Sequence, residues 1–78
     1  MKEVEFLQFV IEWIVEHKED IKIESKDDEL GTLLTLQVNS EDMGMIIGKK
    51  GSTVNALRSI VRLMGMKMGK KINLKVID

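Results

Sequence analysis

The chain has 78 residues, of which 44% are hydrophobic and 32% are charged. This composition is typical of a folded domain, and the length predicts one domain over residues 1–78 with a single small core. So small a core argues against an enzyme with a large enclosed site. Without cysteine, and with only one histidine, His17, the chain lacks disulfides, thiolate ligands and a zinc-ligand set. No signal peptide or membrane-spanning run is apparent, so we expect a cytoplasmic protein.

The charges are segregated along the chain. Residues 1–42 carry 12 acids and 4 bases, whereas residues 43–78 carry 8 bases and 1 acid, so the net charge of −1 divides into −8 and +7. A basic half allows nucleic-acid binding although the total charge is close to zero. The alternative is that the two halves attract each other inside the fold.

The first predicted element is a helix over residues 3–17. At about 100° per residue its aliphatic side chains fall on one side; they are Val4, Leu7, Val10, Ile11, Ile14 and Val15. Phe6, Phe9 and Trp13 lie beside them and widen the apolar arc to roughly 240°, more than one core-facing stripe needs. These aromatic residues indicate a partner interface, unless neighbouring elements cover the helix on all sides.

A β-hairpin is predicted next. Alternating side chains indicate strands over residues 20–25 and 32–38, and the short polar connection over residues 26–31 makes them antiparallel. The acids of this connection, Asp27, Asp28 and Glu29, are interpreted as a solvated turn rather than a cation site.

Two helices and a strand complete the chain. Asn39 or Ser40 can cap a short helix that ends near Ile47, and a longer helix covers residues 52–67. Gly69 stops that helix, and a last strand covers residues 71–77. A helical crossover of this kind joins parallel strands. The order α-β-β-α-α-β therefore predicts an α+β fold, with a three-stranded mixed sheet and helices packed on one face.

The stretch that indicates a function is residues 46–57, IIGKKGSTVNAL. Two glycines allow unusual backbone angles and close approach, and the helix after Gly51 begins with unpaired N–H groups that suit phosphate. Lys49 and Lys50 add positive charge. The aliphatic residues around them could line a groove for bases; they are Ile46, Ile47, Val54 and Leu57. This is the pattern of a single-stranded nucleic-acid site, although a plain turn with solvated lysines remains an alternative. A P-loop is excluded, because Lys50 stands where that motif requires Ser or Thr.

This run resembles the KH-domain signature, in which an apolar pair precedes G-x-x-G and a helix follows. The element order is similar to that of type II KH domains, and the whole chain resembles the small bacterial single-KH proteins of the KhpA family. The resemblance implies that the GKKG loop clamps the backbone of single-stranded RNA. It assigns RNA binding to Gly48, Lys49, Lys50, Gly51, Ile46, Ile47, Ser52, Val54, Asn55, Leu57 and Arg58.

The same resemblance implies partners and a role. The family self-associates or pairs with a second KH protein of the Jag-like KhpB type, which would make this chain part of a dimer. We expect an RNA chaperone or post-transcriptional regulator that is not an enzyme and uses no metal, cofactor or small-molecule substrate. The alternative is a protein-interaction module with little RNA binding. One departure is visible, because residues 63–68 read LMGMKM where the family has mostly alanines.

Overall fold

The computed structural model describes residues 2–77. Three α-helices and three strands are present in this range: α1 (Lys2–Glu12), β1 (Lys22–Asp28), β2 (Gly31–Gln37), α2 (Met43–Ile47), α3 (Ser52–Met68) and β3 (Ile72–Ile77). The sheet order is β1-β2-β3, with β1 antiparallel and β3 parallel to β2. The predicted α+β class and mixed sheet are therefore confirmed. Among the described residues, no helix is long and apolar enough to cross a membrane.

The hydrophobic core lies between the helices and one face of the sheet. Alternate residues of the two neighbouring strands β2 and β3 are buried there, as the sequence pattern predicts. They pack with one side of α1 and α3, and the cluster is formed by Leu7, Ile11, Val15, Leu34, Leu36, Val38, Ile46, Leu57, Val61, Ile72 and Leu74. The opposite face of the sheet carries the exposed side chains of Lys22, Lys26 and Lys75.

Helix α3 lies close to the start of β3 at Gly65. A Cβ atom at this position would lie 2.6 Å from the carbonyl oxygen of Lys70 and 3.0 Å from a side-chain carbon of Ile72. Glycine inside a helix costs about 1 kcal/mol relative to alanine, and the close approach explains why it is used here. The helix continues to Met68 and ends at Gly69, which adopts φ 75° as the predicted stop.

Helix α1 ends at Glu12, not at residue 17 as its apolar pattern predicts. The backbone N–H groups of Glu16 and His17 donate to the two carboxylate oxygens of Asp42, each over 3.1 Å. Asp42 is buried and lies just before α2. These two donors are therefore used by a distant carboxylate instead of by the helix.

Strand β1 also differs from its predicted bounds, because it runs to Asp28 through residues expected to form a turn. The Asp28 carboxylate accepts hydrogen bonds from the N–H groups of Leu30 (2.8 Å) and Gly31 (3.0 Å). Asp27 accepts a hydrogen bond from the hydroxyl of Thr32 across the strand pair. These side-chain bonds shorten the turn to Glu29 and Leu30 and allow the ladder to continue.

One ion pair joins the two ends of the described chain. The Lys70 ammonium donates to Glu3 over 3.0 Å, and the Glu3 side chain is only 1% exposed. Burial of the Glu3 carboxyl raises its pKa, but the hydrogen bond from Lys70, a backbone hydrogen bond and the charge of Lys70 lower it, so the pKa of Glu3 lies below its ordinary value of 4.5. Folding is therefore stabilised above that value, and the contribution is lost as the pH falls through the lowered pKa.

We predict that Glu3→Gln lowers the free energy of unfolding at pH 7 by about 1–3 kcal/mol, because a charge-assisted hydrogen bond is lost. Below pH 4.5 the stability of the variant should also decrease less with falling pH than that of the wild-type protein. Urea unfolding at several pH values measures both effects. Glu5→Gln is the matched control, since Glu5 is an exposed acid in the same first turn; an equal loss of stability in both variants would contradict the role of the ion pair.

Candidate nucleic-acid interface

The GKKG loop is built from backbone conformations in which φ is positive. Gly48 adopts φ 73° and ψ 177°, Lys50 φ 56° and ψ 29°, and Gly51 φ 78° and ψ 13°. Positive φ is common for glycine and rare for other residues, so Lys50 stores local strain. Backbone hydrogen bonds hold the loop, from Gly48 N–H to Gly44 C=O (2.9 Å), from Gly51 N–H to Gly48 C=O (3.3 Å) and from Ser52 N–H to Lys49 C=O.

The two glycines serve different purposes. A Cβ atom on Gly48 would overlap Thr53, with 2.7 Å to its backbone nitrogen and 2.8 Å to its Cβ atom. A Cβ atom on Gly51 would meet nothing closer than 3.6 Å, from Asn55. Gly48 is therefore required by both its contact with α3 and its positive φ, whereas Gly51 is required by its backbone conformation alone.

The charged side chains of the loop face solvent. Lys49 and Lys50 are exposed, and neither forms an ion pair or a side-chain hydrogen bond within the described chain. Ser52 is exposed at the start of α3, and no side chain caps this end of the helix. The Ser52 N–H donates to the Lys49 carbonyl, so the groups that the loop offers to an anion are its two exposed lysines.

The predicted groove residues divide into core and surface. Ile46 is 0% exposed and Leu57 is 4% exposed, and both belong to the hydrophobic core. Val54 is buried, whereas Ile47 is 43% exposed beside the loop. Of the aliphatic set, Ile47 therefore offers the largest surface to a base, and Ile46 and Leu57 fix the two helices that carry the loop.

The edge of β3 forms a second wall, which sequence reasoning missed. Arg58, half-buried on α3, donates from Nε to the Leu74 carbonyl over 3.4 Å and from Nη1 to the Asn55 side chain over 3.3 Å. Asn55 and Arg58 thus line the seam between α3 and β3 that begins at the loop. Only the parallel crossover brings β3 beside α3, so no local pattern could have indicated this wall.

The aromatic residues of α1 lie away from the core. Phe6 is 41%, Phe9 59% and Trp13 79% exposed, and the rings of Phe9 and Trp13 form an edge-to-face pair with centroids 6.4 Å apart. Neighbouring elements therefore do not cover this helix on all sides. The surface is apolar and is flanked by the acids of α1.

One cluster in the segment after α1 has side chains of the kind that bind metals. Ligand atoms of His17, Glu19 and Asp20 lie within 4.8 Å of one another. His17 Nε2 lies 3.0 Å from Glu41, and Asp20 accepts a hydrogen bond of 2.8 Å from Asn39. These contacts join the segment between α1 and β1 to the segment before α2, which gives the cluster a structural explanation.

The sequence matches a known protein family over most of its length. Residues 4–76 match the family described as KhpA/KhpB, KH domain. The chain belongs to this family. The match spans both helices that flank the GKKG loop and the three strands except Ile77, so the resemblance in the sequence and the fold in the structure agree.

Individual relatives extend over nearly the same length. A protein of Listeria monocytogenes is 35% identical over 74 residues, covering 95% of this chain and 97% of the relative. One from Halalkalibacterium halodurans is 37% identical over 65 residues, covering 83% and 86%, and one from Borreliella burgdorferi is 28% identical over 76 residues, covering 97% and 93%. All three are named RNA-binding protein KhpA. No solved structure matches the chain.

We predict that Gly48→Ala destabilises the fold by about 2–4 kcal/mol, because the methyl group overlaps Thr53 and is strained at positive φ. Gly44→Ala is the matched control. Gly44 lies in α2 with nothing within 4 Å of its added Cβ atom, so this change should be neutral or stabilise by up to about 1 kcal/mol. The midpoints of thermal unfolding of the two variants measure this difference, and equal midpoints would contradict the steric role of Gly48.

Proposed function

We propose that this protein binds single-stranded RNA in the cytoplasm, with the GKKG loop holding the phosphate backbone and without catalysing a reaction. The observation that carries the proposal is the pair of exposed, unpaired lysines on a loop of fixed shape at the start of α3. Family membership and the name shared by the relatives supply the class of ligand. In KH domains the G-x-x-G loop clamps about four nucleotides.

The chemistry of the site favours backbone contacts over base recognition. Lys49 and Lys50 are donors for phosphate oxygens, and they lie on one side of the groove. On the base side, Ile47 supplies apolar surface while Asn55 and Arg58 supply polar groups. We therefore propose broad RNA binding with weak sequence preference, as suits an RNA chaperone or a post-transcriptional regulator.

A single module of this size binds RNA modestly, so we propose that a second KH chain supplies the remaining affinity through effective concentration. The exposed aromatic surface of Phe6, Phe9 and Trp13 is the proposed contact. The partner is a second copy of this chain or a KH protein of the KhpB type. The family description, which joins KhpA and KhpB, supports this choice.

We predict that RNA binding is salt-dependent and requires the loop lysines. Two or three phosphate contacts give a log–log salt slope of about −1.5 to −2, so affinity should fall about tenfold between 50 and 200 mM salt. Lys49→Asp with Lys50→Asp should abolish measurable binding and keep the fold, because aspartate tolerates the backbone angles of Lys50. Fluorescence anisotropy with labelled single-stranded RNA measures both effects.

Lys22→Glu with Lys26→Glu is the control for this experiment. It makes the same change in net charge on the sheet face that no helix covers. Binding that is lost equally in both double variants would indicate general attraction rather than a loop site. Absence of binding by the folded wild-type protein would instead favour the protein-interaction alternative.

We predict that the aromatic surface of α1 becomes covered when the partner binds. Trp13 is the sole tryptophan, so its emission should shift to shorter wavelength on self-association or on titration with a KhpB-type protein. Phe9→Ala with Trp13→Ala should weaken the complex at least tenfold, since two large apolar contacts are lost. Sedimentation measures this variant against Leu30→Ala, which removes an exposed apolar side chain elsewhere; unchanged association would exclude the surface.

A further inference from the structure

A pocket of about 600 Å³ lies at the far end of α3 from the GKKG loop. Its lining includes Arg62 and Met66 from α3, Lys71 from the connection to β3, and Ile72 and Asn73 from β3. Met66 is 75% exposed and provides apolar surface, whereas Ile72 is 1% exposed and forms the floor of the pocket as part of the core. Arg62 and Lys71 provide positive charge. Exposed apolar surface beside two cationic groups matches the chemistry of a nucleotide, which has a flat ring and a phosphate.

Two cations in this pocket are free to bind a ligand. The ammonium of Lys70, which also borders the pocket, is neutralised by Glu3. By contrast, Arg62 and Lys71 are exposed and make no ion pair or side-chain hydrogen bond in the part of the chain that the structure describes. An arginine guanidinium can bind phosphate through two hydrogen bonds or stack on a base.

The acids nearest to the pocket lie in the β1–β2 turn, which meets Lys71 on its other side. The Asp28 carboxylate is used by the amides of Leu30 and Gly31, and that of Asp27 by the hydroxyl of Thr32. Glu29 is exposed at the tip of the turn. These acids leave Arg62 and Lys71 unpaired, and they make the region beyond the pocket unfavourable for a phosphate chain.

The pocket is continuous with the proposed RNA site. Asn55, Arg58, Arg62 and Met66 are spaced by three or four residues, so they form one row along α3. Arg58 is fixed midway by its bond to the Leu74 carbonyl. From Ser52 to Arg62 the helix rises by about 15 Å. The row therefore leads along the α3–β3 seam from the GKKG loop to the pocket.

We propose that this pocket holds a further nucleotide of the same RNA strand that the GKKG loop binds. The base contacts Met66, and the phosphate lies between Arg62 and Lys71. The inference rests on the proposed RNA binding and adds a second contact point, so that the bound RNA extends along the seam and ends before the acidic turn.

The test uses calorimetry to compare the affinities of two single-stranded RNA oligonucleotides that repeat the same base, a tetranucleotide and an octanucleotide. For the wild-type protein we expect the octanucleotide to bind about tenfold more tightly, the gain from one further charge-assisted contact. Its salt slope should be steeper by about 0.7, for one further phosphate contact. In Arg62→Glu with Lys71→Glu both gains should disappear, while affinity for the tetranucleotide stays within about twofold.

Two further variants make the outcome decisive. Arg62→Gln with Lys71→Gln removes the contacts without reversing charge and should give the same loss, whereas Lys22→Glu with Lys26→Glu should keep the length dependence. A length dependence that survives in the glutamine variant, or that is lost equally in the sheet-face variant, overturns the pocket while leaving RNA binding in place. Failure of the wild-type protein to bind either oligonucleotide overturns the proposed function itself and this inference with it.

Discussion

The contact between Gly48 and Thr53 determines the shape of the GKKG loop. With no side chain at position 48, the chain leaves α2 and returns so closely that the first turn of α3 packs on the glycine Cα atom. Ile46 on one side of the turn and Leu57 on the other are buried in the core, which fixes both helices. The loop between them can therefore project Lys49 and Lys50 into solvent without side-chain support of its own. Rigid helices and a glycine contact thus replace side-chain packing as the source of its shape.

The segregation of charge survives folding. The −8 and +7 halves could have neutralised each other, yet among the described residues Glu3 with Lys70 is the one lysine or arginine ion pair. The buried acid Asp42 accepts backbone N–H groups, and Asp28 does the same in its turn. Acids are thus used to shape the backbone while bases remain on the surface. A nearly neutral protein keeps a basic region because few of its acids are paired with bases.

Local patterns predicted the elements well, and distant side chains explain where the boundaries failed. The alternation of Leu34 and Leu36 and the glycines of the loop depend on neighbours in sequence, so their roles were predictable. The end of α1 depends on Asp42, which is 26 residues from Glu16. The edge of β3 lines the site because the parallel crossover places it beside α3. Contacts between residues this far apart in the chain leave no local pattern in a single sequence.

The distribution of buried aliphatic residues limits how the site can read RNA. Ile46 and Leu57 carry the motif but lie in the core, so a base in the groove meets mainly Ile47 and the polar groups of Asn55 and Arg58. Little apolar surface is then removed from water by each base, and discrimination between bases is correspondingly small. Affinity must come from phosphate contacts, which add up with the number of basic groups along the strand. Extension of the contact along α3 and pairing with a second KH chain both increase that number, and neither requires a more selective groove.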